Sequence, residues 1–424
     1  MYRITAGTPL LIMLLFCCMY MVRMWVCKNS NGLHIKKVDN IVFFACFFRC
    51  IWAIIVVAAE DLGFTFFVYD DETYYRFAMR YISESQMIYQ DNTYRFFLRW
   101  IYDSFGRSAL NGRLTSMFIV LTAVYLVAFA ENMILKERNR YTATKLCAFS
   151  PFMVMVSFFE IKDIAALFLL IAGYALIKKF ENTKKKATFV AIVVVGLLNE
   201  GIRSGTGALL VAAGIITAIP IRRDAAKSKR ILSIICIAIT IIVAVLWAAK
   251  SELIDTYLWK ISQYQKWIRT QFSSNSIYNW FVIDDWKQIW KAPLSFALYA
   301  LQPLNGLTGE KRFFGEFGIF ARVIDVPVIL MTLLFIVKYI KQEKGNSTIM
   351  LTQYALLSCV NLTNVRESIA LYPLFYIAYA CEKDSVTNDI SSRLTRKLFG
   401  GKNWDIMRYM ITLCWLSFVI FRVS

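Results

Sequence analysis

The sequence predicts an all-α, polytopic integral membrane protein, and three observations carry that prediction. The chain is 58% hydrophobic and only 18% charged, with a mean hydropathy of +0.51. A soluble protein would carry about 25% charged residues. The surplus apolar residues gather into long runs, each near the ~20 residues that a helix needs to cross a bilayer. The third observation is the placement of charge. Six short loops (28–39, 136–145, 178–186, 222–230, 338–344 and 382–402) hold 25 Lys and Arg against 8 Asp and Glu. Two large segments, 60–113 and 250–316, hold 14 of each. Nearly all of the formal net charge of +19 is thus a positive-inside signature, which sets the basic loops in the cytoplasm and argues against a nucleic-acid partner.

Taken in order, the first span covers about Ile4–Val26 and reads as uncleaved, being too long for a signal peptide. The second, Ile41–Ala59, carries Arg49, which should face protein or snorkel inward. Residues 60–113 form a first extracytoplasmic loop. It contains two helix-period apolar stripes: Tyr74, Phe77, Ala78, Tyr81, Ile82, then Tyr94, Phe97, Leu98, Ile101, Tyr102, Phe105. Such stripes give each helix one greasy face, to lie on a membrane or on other helices. Leu114–Ala130 crosses back.

The runs 146–177 and 187–221 are each flanked by basic loops on both sides, so each must fold as a hairpin of two helices. Their polar tips are Glu160-Ile161-Lys162-Asp163 and Asn199-Glu200-Gly201-Ile202-Arg203-Ser204-Gly205; the run 348–381 repeats the plan around Arg366-Glu367. All three tips point to the face that holds Asp70-Asp71-Glu72. Between them, Ile231–Ala249 crosses outward, and 250–317 forms a second extracytoplasmic loop rich in Trp and Tyr, the residues of the water–lipid boundary. Phe320–Val337 and Trp404–Val423 supply further spans. This gives about twelve helices in one transmembrane domain over 1–424, in a cytoplasmic (inner) membrane. The ten cysteines lie in or beside apolar segments without a Cys-x-x-Cys pair, and there is one histidine, His34. Disulfides, a zinc site and histidine-based catalysis outside the membrane are therefore not expected.

The acidic stretch Asp70-Asp71-Glu72-Thr73-Tyr74-Tyr75-Arg76-Phe77-Ala78 resembles the start of the first outer loop in the GT-C superfamily of membrane glycosyltransferases, near the bacterial protein O-mannosyltransferases and lipid A aminoarabinose transferases. Trp100–Ser108, with its Phe105-Gly106, is similar to that family's short helix before the next span; Pro151, Lys162-Asp163, Arg203, and Arg366 followed by Pro373 resemble its later parts. Two departures stand out: two spans precede the acidic loop instead of one, and no large soluble carboxy-terminal domain follows. The layout also resembles Wzy-type polysaccharide polymerases.

The resemblance implies transfer of a sugar from a polyprenyl-phosphate donor to a glycan, lipid or protein acceptor at the extracytoplasmic face. Asp71, Asp70 or Glu72 would be the general base. A carboxylate is the natural proton acceptor for an attacking hydroxyl where no histidine is at hand, and clustered acids raise one another's affinity for protons. The same acids also suit a solvated or capped helix start. Asp163 would be a second acid orienting the acceptor. Arg203, Arg366 and Lys162 would hold the carrier phosphate, although Lys162 and Arg366 also have acidic neighbours to pair with. Tyr74 and Glu200 complete the expected substrate contacts. No cofactor or metal constellation is expected, while paired acids are also compatible with a divalent cation. A polymerase of lipid-linked oligosaccharides is the alternative, and a lipid-linked sugar flippase a further one; paired repeats and charges at the membrane centre would mark the latter.

Overall fold

The computed structural model describes residues 2–30, 32–62, 69–83, 92–135, 141–203, 205–218, 262, 266, 286–301, 321–343, 349–355, 357, 365–388 and 401–423. Among these residues the chain is helical and has no strand. Among the described residues three helices are long and apolar enough to cross a membrane: α1 (Thr8–Asn29), α2 (Ile35–Asp61) and α5 (Ala109–Ile134). The amphipathic helices α3 (Tyr69–Ala78) and α4 (Tyr94–Phe105) lie between α2 and α5.

The expected hairpins are present in the first two cases, each with at least one arm shorter than a full crossing. The first is built from α6 (Thr142–Phe149), α7 (Pro151–Val156) and α8 (Lys162–Thr183). Its ascending arm breaks at Ser150-Pro151, because proline has no N–H for the preceding turn and its ring clashes there. The second pairs α9 (Lys186–Ile202) with α10 (Thr206–Ala218). Further along come a 3₁₀ turn (Trp286–Lys291), α11 (Ala292–Leu301), α12 (Asp325–Gln342), a second 3₁₀ turn (Val365–Leu371), α13 (Tyr372–Asn388) and α14 (Gly401–Val423). The outer-loop and hairpin-tip segments 63–68, 84–91, 302–320 and 358–364 lie outside the described residues, as do the predicted span 231–249 and most of loop 250–317.

Helix α5 is the axis of the bundle. Of its most apolar 18-residue window, 78% is buried, against 11% for α1 and 22% for α2. Helices α1, α2, α6, α8 and α13 pack around it. Leu10, Met13, Phe16 and Tyr20 on α1, and Phe43, Phe44, Phe47, Phe48 and Ile54 on α2, remain exposed. An apolar surface of that extent suits lipid and not water. Arg49 faces protein, as expected: its guanidinium donates to the Ala148 carbonyl at 2.7 Å, at the end of α6 where the break leaves carbonyls without helical partners.

One end of the bundle fixes α4 in place. The Asn111 amide donates to the Phe105 and Gly106 carbonyls at 3.0 and 2.8 Å, taking up the C-terminus of α4. The Thr8 hydroxyl donates to Asn111 Oδ1 at 2.8 Å, tying in α1. At the opposite end, Glu131 accepts from the backbone N–H of Ala143 and Thr144 at 3.0 and 2.9 Å, capping α6 from a distance. Lys28, Lys178, Lys179 and Lys184, at the ends of α1 and α8, belong to this second end.

Candidate functional site

The site candidate lies at the first end, where α4, with α3 packed on it, meets the tips of both hairpins. Helix α4 buries Tyr94, Leu98, Ile101, Tyr102 and Phe105, the predicted stripe, while Phe97 is exposed. Helix α3 buries Tyr74, Tyr75, Phe77 and Ala78 against it. The predicted first stripe ends early. Arg80 takes a left-handed conformation (φ 64°), and Tyr81 N–H donates to the Arg76 carbonyl at 2.8 Å. This is a Schellman-type stop, which leaves Tyr81 exposed and Ile82 half-buried. Arg80 then pairs with Asp103 of α4 at 2.8 Å, and that arginine holds the Asp103 carboxyl below the ordinary carboxylate range, with help from Arg107.

Tyr74 and Tyr75 join α3 to what lies beneath. The Tyr74 hydroxyl accepts from the Asn92 amide at 2.7 Å, and its ring meets Tyr94 edge-on at 5.2 Å. Tyr75 sits 6.2 Å from the Tyr102 ring, and its phenol is pushed above the ordinary range by burial, then by Tyr81 and Glu160, with Arg113 opposing. The Tyr102 hydroxyl donates to Glu160 Oε1 at 2.6 Å, and both residues are fully buried. Gly112 of α5 makes room for that carboxylate: a Cβ there would stand 2.5 Å from Glu160 Oε1. Arg113, also fully buried, pairs with Glu60 at 3.4 Å and lies over the Tyr2, Phe158 and Phe159 rings.

The two hairpin tips are bound together by an ion pair between Arg203 and Asp163, both buried. Asp163 belongs to the first turn of α8, where the helix dipole favours a negative charge. Lys162 opens that helix and is half-buried. Glu200 is turned inward, onto its own hairpin. Its carboxylate accepts from the N–H of Gly205 at 2.6 Å and of Ala208 at 3.1 Å, which caps α10. The glycine-rich tip thus already holds a carboxylate of its own chain. Gly205 supplies the left-handed turn (φ 85°), and Gly207 lets α9 and α10 approach, its Cβ position lying 2.0 Å from the Gly196 carbonyl oxygen.

Glu72 is exposed and 3.7 Å from Arg76. Asp70 and Asp71 stand in the first turn of α3, but their side chains lie outside the described residues; so does that of Arg366, in the second 3₁₀ turn. The structure therefore brings together Tyr74, Asp163, Arg203, Glu200 and Lys162. Glu160, Tyr102, Glu60 and Arg113 are not singled out by the sequence as site residues, although Glu160 and Asp163 share one tip at a spacing of three. Two interhelical grooves, one of about 650 Å³ beside Arg23, Asp39 and Tyr125 and one of about 530 Å³ beside Trp52, Pro151 and Ala321, lie elsewhere and involve none of the candidates. No family model, curated protein or solved structure matches the chain.

Chemically, this end of the molecule offers buried carboxylates, two buried guanidinium groups and a lysine, set under an amphipathic lid that carries three more acids. A phosphate would meet Arg203 and Lys162, with the guanidinium turning from Asp163 to engage it. A hydroxyl proton would have carboxylates at several positions.

Proposed function

We propose that the chain is a membrane glycosyltransferase that moves a sugar from a polyprenyl-phosphate carrier to an acceptor at the extracytoplasmic face. The observation that carries the reading is the packing of α3, whose first turn bears Asp70, Asp71 and Glu72, on α4, which in turn binds both tips through the Tyr102–Glu160 hydrogen bond and through the Thr93 N–H to the Gly201 carbonyl at 2.9 Å. In this reading about twelve helices are embedded in a cytoplasmic membrane, with the basic loops inside and the site outside. The carrier tail stays in lipid, and its phosphate rests on Arg203 and Lys162, with Arg366 a further candidate. Those cations stabilise the phosphate as it leaves, which is where negative charge develops.

Asp71, with Asp70 and Glu72 beside it, takes the proton of the acceptor hydroxyl as that oxygen attacks the anomeric carbon. The bond from the anomeric carbon to the phosphate oxygen breaks as the new glycosidic bond forms. Direct displacement inverts the anomeric centre. Asp163 positions Arg203 while the site is empty and is freed as the phosphate binds.

The test uses purified protein in lipid nanodiscs, given polyprenyl-phosphate sugars with a labelled sugar and a crude cell-envelope acceptor. Label should pass to the acceptor with wild type, and the rate should fall at least ~100-fold in Arg203→Gln, as for loss of a group that stabilises developing charge. Transfer of single sugars supports this reading; transfer only from lipid-linked oligosaccharides assigns a polymerase instead. Transport of the labelled lipid across the bilayer without transfer contradicts the reading.

A further inference from the structure

At the opposite end of the bundle, three lysines from separate parts of the chain lie near one another, one of them over a tryptophan. Lys179, in the last turns of α8, is half-buried with its ammonium 5.0 Å from the centre of the Trp25 ring. Trp25 lies one turn before Lys28 at the end of α1 and packs on Phe129 of α5, ring centres 5.0 Å apart. The α8–α9 turn consists of Lys184, left-handed at φ 52°, and Lys185, both exposed. Lys28 and Lys185 are near enough to act on Lys179: burial, then these two charges, pull its ammonium below the ordinary lysine range. Among the described residues no carboxylate pairs with Lys28, Lys179 or Lys185; the neighbouring Glu181 is engaged by Lys178, which also binds Glu343.

Like charges held near one another, one of them half-buried, favour an anion beside them. The position says which kind. Helix α1 is apolar along its length and mostly unburied, so its end marks a water–lipid boundary, and Trp25 has the character of a residue anchored there. We propose that Lys28, Lys179 and Lys185, on the platform of Trp25, form a binding site for the phosphate headgroup of an anionic membrane lipid. The lipid's acyl chains would run along the exposed apolar face of α1. The site is independent of the glycosyl-transfer reading and lies at the other end of the molecule.

Native mass spectrometry of the detergent-purified full chain, titrated with dioleoyl phosphatidylglycerol or dioleoyl phosphatidylcholine, tests the proposal. The tails are identical, so only the headgroup differs. Wild type should bind the anionic lipid preferentially. Lys179→Gln/Lys185→Gln should lose roughly 30-fold in that affinity, from about fivefold per lysine, with phosphatidylcholine binding unchanged. Lys179→Arg should retain the preference, which separates loss of charge from loss of fold. Lys36→Gln/Lys37→Gln removes the same charge from the start of α2. If that control loses as much affinity, or the Lys179/Lys185 double variant loses none, the cations act only as a diffuse surface field and the site is refuted.

Discussion

Gly112→Ala probes the contact between the central helix and the first hairpin tip. The added Cβ would stand 2.5 Å from Oε1, 2.6 Å from Cδ and 3.0 Å from Cγ of Glu160. Glu160 is fully buried and held by the Tyr102 hydroxyl at 2.6 Å, so it can yield only by giving up that bond. Overpacking of a filled core costs about 1–3 kcal/mol. Loss of a hydrogen bond to a charged buried group adds about 1.5–3 kcal/mol. Alanine returns about 1 kcal/mol through its better helix propensity. The net expectation is a destabilisation of roughly 1.5–5 kcal/mol. In a Glu160→Ala background the obstacle is gone, and the same substitution should be neutral or stabilising by up to about 1 kcal/mol. Equilibrium unfolding by SDS in mixed micelles, followed by helical circular dichroism, measures all four corners of the cycle. An equal cost of Gly112→Ala in both backgrounds would refute the reasoning, since no coupling would exist between the two positions.

Tyr74→Phe removes the acceptor for the Asn92 amide and should cost about 1 kcal/mol; hydrogen exchange should quicken in α3 and leave α5 unchanged. A change in substrate KM without that loosening would instead mark Tyr74 as a substrate contact. Asp103 has a folded-state pKa below its unfolded value, so its contribution is present above about 3.8, the unfolded value, and is lost as the pH falls through the lower folded one. Because a third of the side chain is exposed, Asp103→Asn should cost less than ~1 kcal/mol at neutral pH. That cost should shrink at pH 3 and in high salt; a cost that grows with acid would contradict the assigned ion pairs.

What can be read from the sequence is whatever depends on period and composition. The stripe of α4 shows in the spacing of Tyr94, Leu98, Ile101, Tyr102 and Phe105, because a helix on a packed bundle must bury one face. The hairpins follow from basic loops on both sides of one apolar run, and their predicted tips overlap the breaks between helices, at 157–161 and at Arg203 and Gly205. Pairing between distant residues cannot be read. Neighbours in sequence suggest that Lys162 satisfies Asp163 or Glu160. In the fold Asp163 meets Arg203, 40 residues away, and Glu160 meets Tyr102, 58 residues away. Glu200 looks like a substrate ligand because it stands on an outward tip, yet capping of α10 is a local need of any helix that starts after so short a turn. The end of α3 is not legible because its left-handed residue is Arg80, where glycine or asparagine would have signalled the stop.

The most direct test of the account is release of polyprenyl phosphate by purified wild type and Asp71→Asn, measured beside donor binding in the same nanodiscs. The account predicts turnover in wild type and a loss of roughly 100-fold or more in the variant, within the range for a positioned general base, with donor binding retained through Arg203 and Lys162. Full activity in Asp71→Asn would contradict the assigned base, and an absence of carrier release by wild type with any polyprenyl-phosphate sugar would contradict the transferase itself.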